Sequence, residues 1–237
     1  SAADRGRARI AMDAVDAHLV RRDAGLVRLL DPPFDQDRPD PGYIRGYVPG
    51  VRENGGQYTH AAIWAAMAFA HLGDTERAWE LARMINPVHR TGSGEACATY
   101  RTEPYVMTAD VYAAAPHVGR GGWSWYTGSA GWMYRLVVES LLGVTRAGDT
   151  LTLMPRLPGG WDGFRLHYRY RGSHYAIAVH RADAPLLRVD GEAQQGNTIV
   201  LVDDGCTHEV ELHVVCRNDA ACAAPPADWT SCEKIRP

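Results

Sequence analysis

The sequence predicts a mainly helical chain that turns to β-structure in its last third: a partial α/α barrel followed by a C-terminal antiparallel β-sandwich. Three observations predict this. Apolar residues recur at helical spacing as far as Leu142. From Asp149 onward the texture changes to short alternating or β-branched runs separated by turn signals. Two glycine-rich, aromatic loops, in Gly42–Trp64 and Gly119–Arg135, each run into an apolar helix, as loops do at the active end of a helical toroid. The expected parts are 1–147 as the helical portion, 148–217 as the sandwich and 218–237 as a disordered tail.

In chain order, Arg5–Arg22 places Ala8, Ile10, Ala11, Ala14, Val15, Leu19 and Val20 on one stripe, an amphipathic helix. A short apolar run, Gly25–Leu30, precedes the proline-rich loop Asp31–Pro41. After the first glycine-rich loop, His60–Leu72 is nearly all apolar and reads as a buried helix. Gly73 and Asp74 break it, and Thr75–Ile85 reads as its partner. Asn86–Tyr100 is a polar loop, Glu103–Ala115 a further helix behind Pro104, and Gly128–Leu142 a strong helix ending at Gly143. Six strands are expected: Asp149–Met154, Gly163–Tyr170, His174–Arg181, Leu186–Asp190, Thr198–Val202 and Glu209–Val215. Turn signals such as Arg171-Gly172, Asp190-Gly191 and Asp203-Asp204-Gly205 separate them.

Composition excludes several classes. With 237 residues, 46% hydrophobic content and net charge −3, the chain suits a soluble globular protein and gives no electrostatic case for nucleic acid or an anionic membrane. The longest apolar run, Ala61–Ala70, is too short to span a bilayer, and no signal peptide is visible. The start at Ser1 reads as a processed chain or a piece of something longer. Five cysteines without a CxxC, four of them after residue 200, read as reduced thiols, with one tail disulfide the alternative for an exported chain. His208–His213 (HEVELH) lacks the zinc spacing, Gly128–Gly131 (GSAG) is not a nucleophile elbow, and no metal or nucleotide motif is present.

The two loops carry the candidate chemistry. Thr127 and Gly128 open a helix, where unpartnered amides and the helix dipole favour an anion, with His60 as a third donor from the other loop. A plain N-cap at Thr127 or Ser129 and a satisfied histidine explain the same residues. Trp123, Trp125, Tyr43, Tyr47 and Tyr126 offer faces for sugar rings, or pack a core. Arg52 and Glu53, next to Asn54, suit sugar hydroxyls, or form a surface ion pair. Glu103 and Asp110, seven apart, would share a helix face.

Three stretches, GYVPGVRENGGQYTHAAIW from Gly46, YRTEPYVMTADVY from Tyr100 and GRGGWSWYTGSAGWMYR from Gly119, together resemble the inverting glycoside phosphorylases related to cellobiose phosphorylase. Within that family they are most similar to the C-terminal phosphorylase domain of cyclic β-1,2-glucan synthases and to 1,2-β-oligoglucan phosphorylases. The likeness runs from Arg5 to Val215. It implies an (α/α)6 barrel with a C-terminal β-sandwich, and a reaction in which inorganic phosphate attacks the anomeric carbon while an Asp protonates the leaving oxygen. It implies His60, Thr127 and Gly128 as phosphate ligands, and Tyr47, Arg52 and Glu53 on the acceptor-sugar side; Trp123 and Trp125, two apart among glycines, add substrate platforms on the reading of the residues alone. A β-glucan oligosaccharide and inorganic phosphate are the implied partners, with no cofactor and no metal. The family's general-acid Asp lies in a motif with no match here, and Asp110 is not that residue, so no catalytic residue is assigned. The sequence is therefore expected to be the C-terminal portion of a glycosyltransferase-type phosphorylase, partnered by the missing N-terminal part of a larger synthase, and cytoplasmic. Two other readings stand beside it: a non-catalytic glucan- or anion-binding remnant, and an α/α-barrel hydrolase pairing Glu53 with Glu103 or Asp110.

Overall fold

Asp4 starts the first helix, α1 (Arg5–His18), by accepting hydrogen bonds from the amides of Gly6 and Arg7. The computed structural model describes residues 4–35 and 40–215, which divide into two compact units between Leu141 and Leu142. Helix α1 stops short of the expected Arg22. Val20–Arg21 (β1) and Leu26–Val27 (β2) instead pair as a small antiparallel hairpin.

The first unit is built on a helical hairpin. Gln57–Tyr58 (β3) leads directly into α2 (Thr59–Leu72), which ends at left-handed Gly73 (φ 88°). Asp74 then caps α3 (Thr75–Ile85) by accepting from the Arg77 amide. Ala62, Ala66 and Ala70 on α2 and Ala78 and Ala82 on α3 are buried, and their small side chains let the helices approach closely. Ile63, Phe69, Leu81 and Ile85 fill the core around them. The expected loop Asn86–Tyr100 contains two short helices, α4 (Pro87–Arg90) and α5 (Gly94–Tyr100), started by the side chains of Asn86 and Ser93. Capping residues, rather than an apolar stripe, define both.

Residues 103–115 do not form the expected helix. They run extended, including β4 (Asp110–Val111), and every residue from Val106 to Val111 is buried. Backbone partners on both edges explain the extended state. On one edge, β4 pairs with β3, the Thr59 amide donates to Ala109 O at 2.9 Å and the Ala113 amide to Gly50 O at 2.7 Å. On the other, the Ala109 amide donates to Trp123 O at 2.7 Å, and Asp110 O accepts from the Gly122 amide at 2.8 Å. Tyr112 exchanges bonds with Gly119 and Arg120. A short apolar run wholly buried shows no period from which to distinguish strand from helix. Glu103 and Asp110 therefore share no helix face.

The first glycine-rich loop is closed by Asn54, which is completely buried. Its side-chain nitrogen donates to the carbonyls of Phe34 and Tyr47, both at 2.8 Å, and its Oδ1 accepts from the Phe34 amide at 2.7 Å. The loop can be this tight because Gly50 is left-handed (φ 86°) and a Cβ there would meet Ala114 at 2.9 Å. The second loop ends in α6 (Thr127–Arg135), after which Leu136–Leu141 wind as a π-helix rather than continuing the expected α-helix. The wider turn brings Leu136, Ser140 and Leu141 to the buried side. Among the described residues four helices have nine or more residues, too few to trace a ring by themselves.

The second unit is β-structure, beginning ahead of the expected 147/148 boundary because Val144–Ala147 (β5) forms a hairpin with Thr150–Leu153 (β6). The later strands are β7 (Gly163–Tyr170), β8 (Ser173–Arg181), β9 (Leu186–Val189), β10 (Glu192–Gln194), β11 (Thr198–Val200) and β12 (Thr207–Val214). They form a three-stranded sheet, β11-β6-β5, and a five-stranded sheet, β10-β9-β12-β8-β7. The expectation of a wholly antiparallel sandwich is corrected here: β8 and β12 run parallel, from Thr207 beside His174 to Val214 beside Arg181. The long connection carrying β9, β10 and β11 makes that parallel return possible. Ser173, Tyr175, Ile177 and Val179 alternate inward along β8, as do Leu151 and Leu153 along β6. The expected tail, 218–237, lies outside the described residues, as do Cys216, Cys222 and Cys232; Cys97 and Cys206 are exposed free thiols.

One polar cluster staples this unit. His208 stacks on Tyr175 with ring centres 4.8 Å apart, and its Nδ1 and Nε2 lie 2.8 and 3.3 Å from Asp190 and Asp204. The Asp190 bond raises the His208 pKa above its usual 6.5, aided by Asp204. Asp190 is lowered chiefly by His208, and Asp204 chiefly by the Cys206 amide, then Ser173.

Two outcomes are expected. Asn54→Ala removes three bonds from one buried side chain and should cost about 3 kcal/mol in denaturant unfolding; a loss below about 1 would contradict the fastening role. The His208 contribution is full below its unfolded pKa and disappears as pH rises through the raised folded value. The Asp190 and Asp204 contributions are full above about pH 4 and disappear as pH falls through their lowered values. Melting temperature should thus peak between about pH 4 and 6.5 and decline on the alkaline side, a decline that His208→Ala flattens. A wild-type profile level across neutrality would remove the staple.

Candidate active site

The sequences YTH and YTG begin α2 and α6 in the same way. Each helix has a tyrosine at the N-cap, Tyr58 and Tyr126, and neither tyrosine side chain caps a backbone amide. Helices α2 and α6 pack together, and the Tyr58 pKa is raised by burial and then by Tyr126. The first turns of the two helices consequently lie together. The plain N-cap reading of Thr127 and Ser129 does not hold: Thr127 is already helical, and Ser129 turns its hydroxyl inward to the carbonyls of Thr108 and Tyr126, both at 3.0 Å. Thr127 and Gly128 remain exposed at the bare helix start.

His60 sits in the first turn of α2. Its ring lies 4.6 Å from Trp64, edge-on, and 5.5 Å from Trp132, which follows Gly128 by four residues, about one turn, on α6. Its Nε2 is buried without a hydrogen-bond partner, and so is the hydroxyl of the neighbouring Thr59. His60, Thr127 and Gly128 are therefore grouped around two uncapped helix starts with unsatisfied polar atoms among them. Such an arrangement can receive an anion.

A second group lies on the loops leading into these helices. The Arg52 guanidinium carbon sits 4.5 Å from the centre of the Trp123 ring and 5.3 Å from that of Tyr47. Its Nε lies 3.4 Å from a Glu53 oxygen. Burial works against the Arg52 charge, but Glu53, Tyr47 and Asp110 outweigh it and raise its pKa. Tyr47, Arg52, Glu53 and Trp123 thus form one surface, with Trp123 66% exposed. Trp125 stands apart from it. Its indole Nε1 donates to Glu103 at 2.9 Å and its ring meets the edge of Tyr105. Glu103 is lowered by its own backbone amide, then by Trp125 and Ser124. Arg52 (φ 50°) and Trp125 (φ 58°) are both left-handed without being glycine, a conformation costing about 1–2 kcal/mol that persists only where surroundings impose it.

Sequence reasoning missed the interaction of Tyr58 with Tyr126, whose only signal was the repeated Tyr-Thr before two helices. It also missed the buried Asp110, which it had placed on a helix. Asn54, read as a sugar contact, is spent on the loop itself. Among the described residues no group of His, Cys, Asp and Glu could hold a metal, and no helix is long and apolar enough to cross a membrane.

Comparison with known proteins agrees with the division of the chain. Residues 1–143 match the catalytic domain of the glycosyl hydrolase 94 superfamily, and residues 145–195 match the C-terminal domain of glycosyl hydrolase family 65. The chain is 46% identical over 204 residues to the cyclic β-(1,2)-glucan synthase of Rhizobium meliloti (strain 1021), covering 86% of this chain and 7% of that protein. It is 30% identical over 189 residues to the solabiose phosphorylase of Paenibacillus borealis, covering 77% of this chain and 24% of the relative. A 1,2-β-oligoglucan phosphorylase of Listeria innocua serovar 6a is 29% identical over 157 residues, covering 60% and 14%. The chain thus spans a quarter or less of the length of each of these relatives. With the helical unit matched over its whole length and a family 65-type β domain behind it, this chain belongs to the glycosyl hydrolase 94 superfamily.

Proposed function

We propose that the chain supplies the phosphate side and part of the saccharide side of an inverting phosphorylase acting on β-1,2-linked glucan. The observation that carries this reading is the pairing of two uncapped helix starts around the unpartnered His60 Nε2. Inorganic phosphate held there by His60, Thr127 and the Gly128 amide would be both ligand and nucleophile. Its oxygen forms the new bond to the anomeric carbon as the glycosidic bond breaks, giving α-glucose 1-phosphate, and no base is required to activate an oxygen already anionic. Arg52, Glu53, Tyr47 and Trp123 would receive the acceptor sugar, with Trp125 as an outer platform.

The leaving oxygen needs a proton, and no residue of this chain is assigned to give it. We place that donor, the remaining helices of an (α/α)6 barrel and the rest of the saccharide site in further sequence of a longer cytoplasmic synthase or phosphorylase. The names of the relatives support the substrate class: one is a β-(1,2)-glucan synthase and another a 1,2-β-oligoglucan phosphorylase. The hydrolase alternative fits the geometry poorly. Glu103 is held by its bond from Trp125 on the Tyr105 side, and Asp110 is buried.

Millimolar inorganic phosphate added to this chain should shift the His60 imidazole resonances and raise the melting temperature. His60→Ala and Thr127→Ala should each weaken that response about tenfold. No response in a folded chain would overturn the phosphate site. Titration with β-1,2-gluco-oligosaccharides should show Trp123→Ala binding about tenfold more weakly than wild type. In the longer protein, glucan cleavage that proceeds equally well without phosphate would assign a hydrolase instead.

A further inference from the structure

Asp110 is a carboxylate that the proposed chemistry leaves unused, on the segment to which both site loops pair. It is 1% exposed, and neither oxygen has a hydrogen-bond partner. A charge so placed demands compensation. The groups that face it are the guanidinium and backbone amide of Arg52 from the first loop, the backbone amide of Trp123 from the second, and the Glu53 carboxylate as a repulsive neighbour. Burial pushes the Asp110 pKa up, and Arg52 and the two amides oppose that rise. The contact with the second loop is close: a Cβ on Gly122 would fall 2.0 Å from Asp110 Oδ1, so only glycine lets the backbone reach the carboxylate.

Arg52 and Trp123 are the two residues whose guanidinium and indole stack on each other. They come from loops some seventy residues apart in the sequence, and Asp110 lies on the extended segment between those loops. We propose that Asp110 is a positioning residue, a buried carboxylate that holds Arg52 and Trp123 together as one saccharide-facing surface. It touches no reacting atom; it acts through Arg52 and Trp123. The left-handed backbone of Arg52 is consistent with a conformation held by such a contact. The saccharide-facing part of this inference rests on the function proposed above.

The test combines amide titration with saccharide binding. In wild type, the Arg52 and Trp123 amide proton resonances should move together with pH, sharing one midpoint. Asp110→Asn should abolish both titrations and weaken β-1,2-gluco-oligosaccharide binding about tenfold, while the phosphate-induced shift of His60 persists. Gly122→Ala, which displaces the carboxylate without removing it, should move that shared midpoint equally at both amides. Amides that titrate independently in wild type overturn the proposal, as does Asp110→Asn binding saccharide like wild type. If Asp110→Asn fails to fold, the wild-type co-titration still decides. A wild type that binds no saccharide overturns the functional reading instead, and the amide titration then judges the Asp110 clamp alone.

Discussion

The extended segment from Val106 to Ala113, buried as far as Val111, is the constraint on which the rest of the first unit depends. Extended backbone buried on all sides must find partners for every N–H and C=O, since water cannot reach them. Here those partners are the two glycine-rich loops, Gly50 and Gln57–Thr59 on one edge and Gly119–Trp123 on the other. The dependence is mutual. Loops so rich in glycine carry a large entropic cost of ordering, and pairing along a shared strand offsets it. The two loops are thus two edges of one small sheet.

That sheet aims the chemistry. Tyr58 pairs with Asp110, so the register of β3 against β4 decides where α2 begins, and the inward hydroxyl of Ser129 on Thr108 O anchors the start of α6 to the same segment. His60 follows from the first and Thr127 from the second. A one-residue slip in this register would turn every side chain of β3 to the opposite face and displace the α2 start by one residue. The starts of α2 and α6, where an anion site is proposed, are therefore set by backbone hydrogen bonds.

Much of this was legible from residues. The α2–α3 hairpin announced itself by a solid apolar run, Gly73 and the Asp74 cap, and five of the six expected strands recur close to their predicted bounds as β6, β7, β8, β9 and β12, with β11 overlapping the sixth. The two glycine-rich loops were marked by composition. What was hidden lacks a local signal. Val106–Val111 carries no period because both its faces are buried. Helices α4 and α5 depend on the single capping residues Asn86 and Ser93. The role of Asn54 rests on Phe34 and Tyr47, and the parallel pairing of β8 with β12 on residues more than thirty apart. The candidate site divided in the same way: residue types were readable one by one, but the separation of Trp125 from Trp123, two positions away, came from an indole bond to Glu103.

The strand order β10-β9-β12-β8-β7 also governs how the second unit can be made. Among the described residues its last strand, β12, lies in the middle. Until residues 207–214 leave the ribosome, β7–β8 and β9–β10 can exist only as two hairpins, each offering a bare edge where β12 will enter. Such edges are templates for pairing with other chains, and long-range insertion of this kind is slow. The nascent protein therefore passes through a window in which a stalled or shortened chain is prone to self-association, and that window closes only when β12 is in place.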